Sequence, residues 1–177
     1  MLTRCIKGNY GRACTCVITE YTSPLPKQTK KFAAVVEFLN PAQRCSLLKD
    51  LLRDYIFFHC EKDKDWTFDE ALEYQIQAQT AEVTLLELFR GKPSFNDRTE
   101  LESYVRTVHK DDIELMIVAQ LEIWCEELVA AHVSSSQSSM IEDDKVFQLG
   151  KALDPFVSSS NIKSQEPRLW PIVFKVQ

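Results

Sequence analysis

The chain has 177 residues, of which 45% are apolar and 27% charged, and its formal net charge is −5. This composition is typical of a globular protein that buries a core without disulfides, and it excludes a disordered chain. The acidic balance also disfavours a general nucleic-acid coat, because phosphate binding depends on clustered Lys and Arg. We therefore expect a single folded domain.

The first 31 residues are predicted to form an extended, strand-like arm. Residues 14–21 are rich in β-branched side chains, and a Ser-Pro-Leu-Pro segment follows them. Basic residues are concentrated in the same arm: Arg4, Lys7, Arg12, Lys27, Lys30 and Lys31. A solvated linker is the ordinary interpretation of such a cluster, and a weak phosphate-facing arm is the alternative.

Three cysteines in this arm, Cys5, Cys14 and Cys16, raise the question of a metal site. Together with a fourth ligand such as His59 or Cys60 they form a conceivable zinc set, but structural zinc sites usually come from paired knuckles. We therefore expect packing, with no metal and no cofactor. Six cysteines without a sustained apolar leader indicate a reducing compartment, either cytosol or nucleus.

Residues 32–157 are predicted to form a helical domain. The period of residues 32–39 does not decide between helix and strand. A capping Asn40 before Pro41 begins the first helix, and Thr67 with Glu70 forms a capping box that begins the second. Gly91 supplies the left-handed stop of that second helix. Its apolar residues run through Ala71, Leu72, Tyr74, Ile76, Ala78, Val83, Leu85, Leu86, Leu88 and Phe89.

A third helix is predicted to begin at Asn96 or Thr99, and a fourth covers much of residues 111–133. This fourth segment has apolar side chains on nearly every face, but it is too short and too rich in Glu to span a bilayer. We therefore expect other helices to enclose it. Water is then excluded from around four of its side chains: Met116, Ile117, Leu121 and Trp124.

The last part of the chain is predicted to contain a short helix and then an arm. Ser139 with Glu142 is a candidate cap for a fifth helix that ends at Asp154 and Pro155. Residues 158–177 form a C-terminal arm that docks on the helical domain, with a strand after Pro171. The predicted fold is thus a mostly α, single-domain bundle of five or six helices with short extended segments at both ends.

Catalytic motifs are missing from the sequence. It contains no Gly-rich phosphate loop, no nucleophile elbow and no His-Glu-x-x-His. His59, His109 and His132 fall in different predicted helices, so we expect a protein that is not an enzyme. The rival hypothesis is a site assembled from dispersed residues around His59, Cys60 and Asp63.

The sequence favours a protein–protein interaction or scaffold module that acts through a helical surface. Several large side chains are not required to fill the predicted helical core and are therefore candidate partner anchors: Trp66, Phe95, Trp170, Ile172 and Phe174. The alternative is an accessory subunit of a nucleic-acid-processing complex that uses the basic arm. We expect no membrane partner, and the chain is a candidate piece of a larger polypeptide.

Overall fold

A computed structural model describes residues 2–3, 18–21, 28–60, 65–107, 113–133, 138–157 and 167–176. Within these residues the protein is mostly helical, as predicted, and strands occur near both ends. The elements, in chain order, are β1 (Leu2–Thr3), β2 (Ile18–Tyr21), β3 (Phe32–Phe38), α1 (Pro41–His59), α2 (Phe68–Leu88), α3 (Arg98–Thr107), α4 (Ile113–Ala130), β4 (Ser138–Asp143), α5 (Val146–Val157) and β5 (Val173–Val176). A single 3-10 turn, Trp170–Ile172, precedes β5.

The described residues form two compact units. The sheet unit comprises the described residues of 1–40, 127–157 and 168–176, and the helical unit comprises those of 41–126 together with Pro167. β3 belongs to the sheet unit because it pairs with strands far along the chain. The predicted domain boundaries after residues 31 and 157 stay predictions.

The sheet unit is built on strands in the order β1-β2-β5-β3-β4. β3 runs antiparallel to β4, from Phe32 opposite Asp143 to Glu37 opposite Ser138, and it is also antiparallel to β5. Alternate residues of β3 are buried, which is the period-two pattern of a half-buried strand. β5 is the strand that the sequence predicted after Pro171, so this prediction is confirmed.

Residues 138–143 form a strand, whereas the sequence predicted that Ser139 and Glu142 cap a helix. Glu142 instead accepts hydrogen bonds from the backbone N–H and the hydroxyl of Thr29, at 2.6 and 2.7 Å. α5 begins at Val146 and continues through Pro155 to Val157. The strand forms because its backbone ladder with β3 satisfies donors and acceptors that a local cap cannot satisfy.

α5 packs on the sheet through Phe156, whose ring lies 6.1 Å from that of Phe38. The C-terminal segment is tied to this helix: Leu169 donates a backbone hydrogen bond of 2.8 Å to the carbonyl of Pro155. The buried guanidinium of Arg168 also binds the Asp154 carboxylate at 2.6 Å. The sheet unit therefore closes its core with residues from both ends of the chain.

The helical unit begins where the sequence predicted. α1 starts at Pro41, and α2 carries the predicted capping box, with both hydrogen bonds between Thr67 and Glu70 present. Gly91 follows α2 with φ +81°, as expected for a left-handed stop. Asp97 caps α3 by accepting from the backbone N–H of Glu100 at 2.9 Å. The core of this unit lies between the buried faces of its helices.

α4 is not enclosed on all sides. Ile117 and Leu121 are fully buried, as predicted, but Trp124 is only half-buried, and Met116 and Ile123 are exposed by 64% and 54%. The predicted exclusion of water is therefore wrong for Met116 and incomplete at Trp124. The neighbouring helices cover one face of α4, so packing rather than composition decides which of its apolar side chains are buried. No described helix is long and apolar enough to cross a membrane.

Candidate protein-binding surface

α2 exposes a row of large apolar side chains. Phe68 is 82% exposed, Leu72 47%, Ile76 55% and Val83 51%. We call these four residues the α2 stripe. At 100° per residue they fall within an arc of about 80°, and they extend over about 22 Å of helix. The exposed Gln79 also falls inside this arc, between Ile76 and Val83, so the stripe is one apolar face interrupted by a single polar side chain.

The opposite face of α2 is what fills the core of the helical unit. Ala78, Ala81, Leu85 and Leu88 are all essentially inaccessible. The α2 stripe consequently takes no part in closing this core, although its side chains are as apolar as those that do. A contiguous exposed apolar face with its own helical period marks an interaction surface more often than chance exposure does.

Carboxylates border the α2 stripe on one side. Asp69 and Glu73 are exposed and each lie three positions from a stripe residue, so they occupy adjacent positions on the helix surface, whereas the mostly buried Glu87 pairs with Arg90. The other side carries the neutral Gln75, and Glu82 beyond it pairs with Arg98. α2, which the structure describes in full, contains five acidic residues and no Lys or Arg. The surface is thus mainly apolar in the middle and negative along one edge of its N-terminal half.

A second exposed region of the helical unit is a groove of about 420 Å³ between the start of α1 and α4, and its apolar floor includes Ala119 and Ile123. The Arg44 side chain is only 3% exposed and pairs with the Glu126 carboxylate. Because the buried Arg44 guanidinium is already paired with Glu126, it is not free to bind a charged ligand. The groove therefore offers a ligand only its short apolar segment.

A third exposed region lies on α5 in the sheet unit. Val146 and Phe147 are 65% and 68% exposed. Together with Gly150 they line a surface hollow of about 700 Å³. The ammonium of Lys151 lies 4.7 Å from the centre of the Phe147 ring. This cation–π contact covers part of the apolar surface, so the hollow is a weaker docking candidate than the α2 stripe.

The catalytic hypothesis places a site around His59, and this residue lies in a buried polar cluster of the helical unit. His59 Nε2 lies 3.8 Å from Glu82 Oε2, and Arg98 Nε approaches the same oxygen at 3.4 Å. Tyr55 Oη, His59 Nε2 and Glu82 Oε2 are buried without a hydrogen-bond partner. Burial raises the pKa of Tyr55 and lowers the pKa of His59, so both groups are kept neutral.

His59 and Glu82 are close in this cluster but are not hydrogen-bonded to each other. The distance of 3.8 Å between His59 Nε2 and Glu82 Oε2 is longer than a hydrogen bond. Cys60 is half-buried beside the cluster, and Asp63 lies outside the described residues. Among the residues that the structure does describe, no group of three or more His, Cys, Asp or Glu is placed to hold a metal ion.

The predicted partner anchors divide between interior and surface. Phe95 is 1% exposed and Ile172 is fully buried, so neither side chain is accessible to a partner. Trp66 is half-buried in an aromatic cluster and stacks on Phe58 with ring centres 5.9 Å apart. Phe174 is 48% exposed, and Trp170 is half-buried. Those three keep some accessible surface, but the α2 stripe presents more apolar surface on one face.

Most of the predicted basic arm and cysteine set lies outside the described residues, including Arg4, Lys7, Arg12, Lys27, Cys5, Cys14 and Cys16. The two described basic residues of the arm, Lys30 and Lys31, lie close to carboxylates. The backbone N–H of Lys31 donates to Asp144 at 3.2 Å, and the Lys30 ammonium reaches the carbonyl of Glu142 at 3.5 Å. This part of the arm is therefore not a purely positive surface.

Comparison of the chain with protein-family models, with curated proteins and with solved structures gave no match.

Proposed function

We propose that this protein is a non-enzymatic interaction module that binds another protein through the α2 stripe. The observation that carries the proposal is the pair of opposed apolar faces on α2, one filling the core and one exposed to solvent. Exposed apolar side chains on a helix that is already held by its other face are the usual form of a helical docking surface. The three free cysteines of the described residues support a reducing compartment, so we place this activity in the cytosol or nucleus.

The apolar area of the stripe that a partner can bury determines how tight a complex is expected. Covering the exposed parts of these four side chains contributes on the order of 5 kcal/mol before the costs of association. Those costs are of similar size, so the stripe alone gives a weak complex. A specific partner must therefore add polar or charged contacts beside the stripe.

A protein partner is favoured over nucleic acid by the charge of this surface. The exposed Asp69 and Glu73 border the stripe, and their carboxylates repel phosphate groups. Lys30 and Lys31 in the sheet unit lie close to acidic residues. The accessory-subunit hypothesis is tested separately by a salt-dependent gel shift with and without residues 1–31.

The test uses a photo-crosslinking residue placed at Ile76, with the same residue at Ile123 as the matched control. Both positions are isoleucines on helices of the helical unit, and they are 55% and 54% exposed. In cells that express the protein, we expect a discrete protein adduct from position 76 that is lost when Leu72→Glu is added. Equal adducts from both positions, or an adduct that survives Leu72→Glu, would contradict the proposal.

A further inference from the structure

We infer that the partner presents an amphipathic helix whose flanks carry Lys or Arg, an inference that rests on the proposed function and names the partner's chemistry. Two properties of the α2 stripe carry it. One is the shape of the stripe, a mainly apolar row along an intact helix. The other is the charge beside the N-terminal half of the stripe, where the exposed Asp69 and Glu73 lie and where α2 itself carries no Lys or Arg.

The shape of the stripe selects a helical partner. The backbone N–H and C=O groups in the middle of α2 are paired within the helix, so only side chains are available for contact. A strand binds by adding to a sheet edge through backbone hydrogen bonds, which this surface does not offer. A second helix, in contrast, places side chains at three- and four-residue spacing, and that spacing matches Leu72, Ile76 and Val83.

The charge of the border selects basic flanks. A partner helix that lies along the stripe brings its own flanking residues next to Asp69 and Glu73. Lys or Arg at those flanks forms ion pairs with the carboxylates, whereas Asp or Glu is repelled. On the opposite side the neutral Gln75 accepts either polar or basic flanks.

A second copy of this chain is a poor occupant. Two α2 helices facing one another can form no ion pair in either orientation, because α2 contains no Lys or Arg. In the antiparallel orientation the acidic borders face each other, which adds repulsion. An anionic membrane surface is disfavoured for the same reason, because amphipathic helices that bind membranes carry Lys and Arg beside the apolar face.

The inference is tested with two synthetic peptides and the full chain. Both peptides have three heptads with Ile and Leu at the a and d positions; one carries Lys at every e and g position and the other carries Glu. A scrambled version of the Lys peptide controls for general attraction to a protein of net charge −5. Binding is followed by titration, and the contact surface is mapped by backbone amide chemical shifts.

We expect the Lys peptide to bind about tenfold more tightly than the Glu peptide, as two or three modest ion pairs provide. Shifts are expected to concentrate in residues 68–83. Ile76→Glu should weaken binding of the Lys peptide about tenfold, and the matched Ile123→Glu should leave it unchanged. Glu73→Lys, at an exposed position on the border, should reduce the preference for the Lys peptide.

Each contrary result identifies what is wrong. Equal binding of the two peptides, or preference for the Glu peptide, overturns the assignment of basic flanks but leaves the α2 stripe as the docking surface. If neither peptide binds while position 76 still gives its specific adduct, the helical partner is wrong and the proposed function stands. Loss of that adduct removes both. A dimer seen by sedimentation, or binding to phosphatidylserine vesicles, that Ile76→Glu abolishes also overturns the inference.

Discussion

Replacing Trp124 by Ala tests the aromatic core of the helical unit. The indole is half-buried and meets two rings that are themselves inaccessible: Phe89, with ring centres 5.8 Å apart, and Phe95, at 5.6 Å with an edge-to-face angle of 88°. The Lys92 ammonium lies 5.5 Å from the indole centre. The substitution therefore removes both ring contacts and leaves a gap beside Phe89 and Phe95.

Removal of a buried Trp or Phe side chain typically costs about 3–5 kcal/mol. Partial exposure of Trp124 lowers this cost, whereas its two aromatic contacts, worth about 0.5–1.5 kcal/mol each, raise it. We expect a loss of about 3 kcal/mol, which shifts the urea midpoint by roughly 1.5 M when followed by circular dichroism. Phe68→Ala is the matched control, because Phe68 is 82% exposed, and it should change stability by less than about 0.5 kcal/mol. Similar midpoints for the two variants would refute the packing described for Trp124.

Three further predictions concern stability and reactivity. Gly150→Ala should raise the free energy of unfolding by about 1 kcal/mol, since nothing lies within 4 Å of the added methyl group in α5. Gly91→Ala should lower the free energy of unfolding, because φ at this position is +81°. Thermal unfolding measures both variants, and shifts of the melting temperature in the same direction would contradict this. Because burial lowers the pKa of His59, the unfolded chain binds that proton at higher pH, so stability should fall as the pH drops through the ordinary histidine value of about 6.5. His59→Gln should reduce this loss between about pH 7 and pH 5, as urea midpoints would show, and an unchanged loss would contradict this account of His59. Burial raises the pKa of Cys125 to about 12, so iodoacetamide should modify that thiol only after unfolding; rapid native labelling would show that it is accessible.

Helix boundaries were the most predictable feature of this fold. Pro41 begins α1, Thr67 with Glu70 begins α2, and Gly91 follows α2 in the left-handed conformation. These signals are local: each depends on the hydrogen bonds and dihedral angles of a few neighbouring residues. A single sequence therefore contains enough information to place them.

The sheet was harder to predict because its pairing is not local. β3 is joined to β4 across about a hundred intervening residues, and no property of residues 138–143 alone names that partner. Ser139 and Glu142 have the spacing of a helix cap, but the ladder with β3 outweighs it. Tertiary pairing here overrides a local preference, which is common for strands.

The candidate surface was missed for a related reason. The apolar residues of α2 are visible in the sequence, but they occupy two opposite faces, and the sequence does not say which face is covered. The structure covers Leu85 and Leu88 and leaves Leu72 and Ile76 exposed. Phe95, a predicted anchor, is buried for the same reason: large apolar side chains serve both cores and interfaces, and only packing distinguishes them.

The most direct test measures the solvent exposure of methyl groups on α2. With a soluble paramagnetic gadolinium chelate, the methyl signals of Leu72, Ile76 and Val83 should relax strongly, and those of Leu85 and Leu88 should relax weakly. Strong protection of all five would show that this face is covered within the chain itself, and the docking surface proposed for this protein would then not exist.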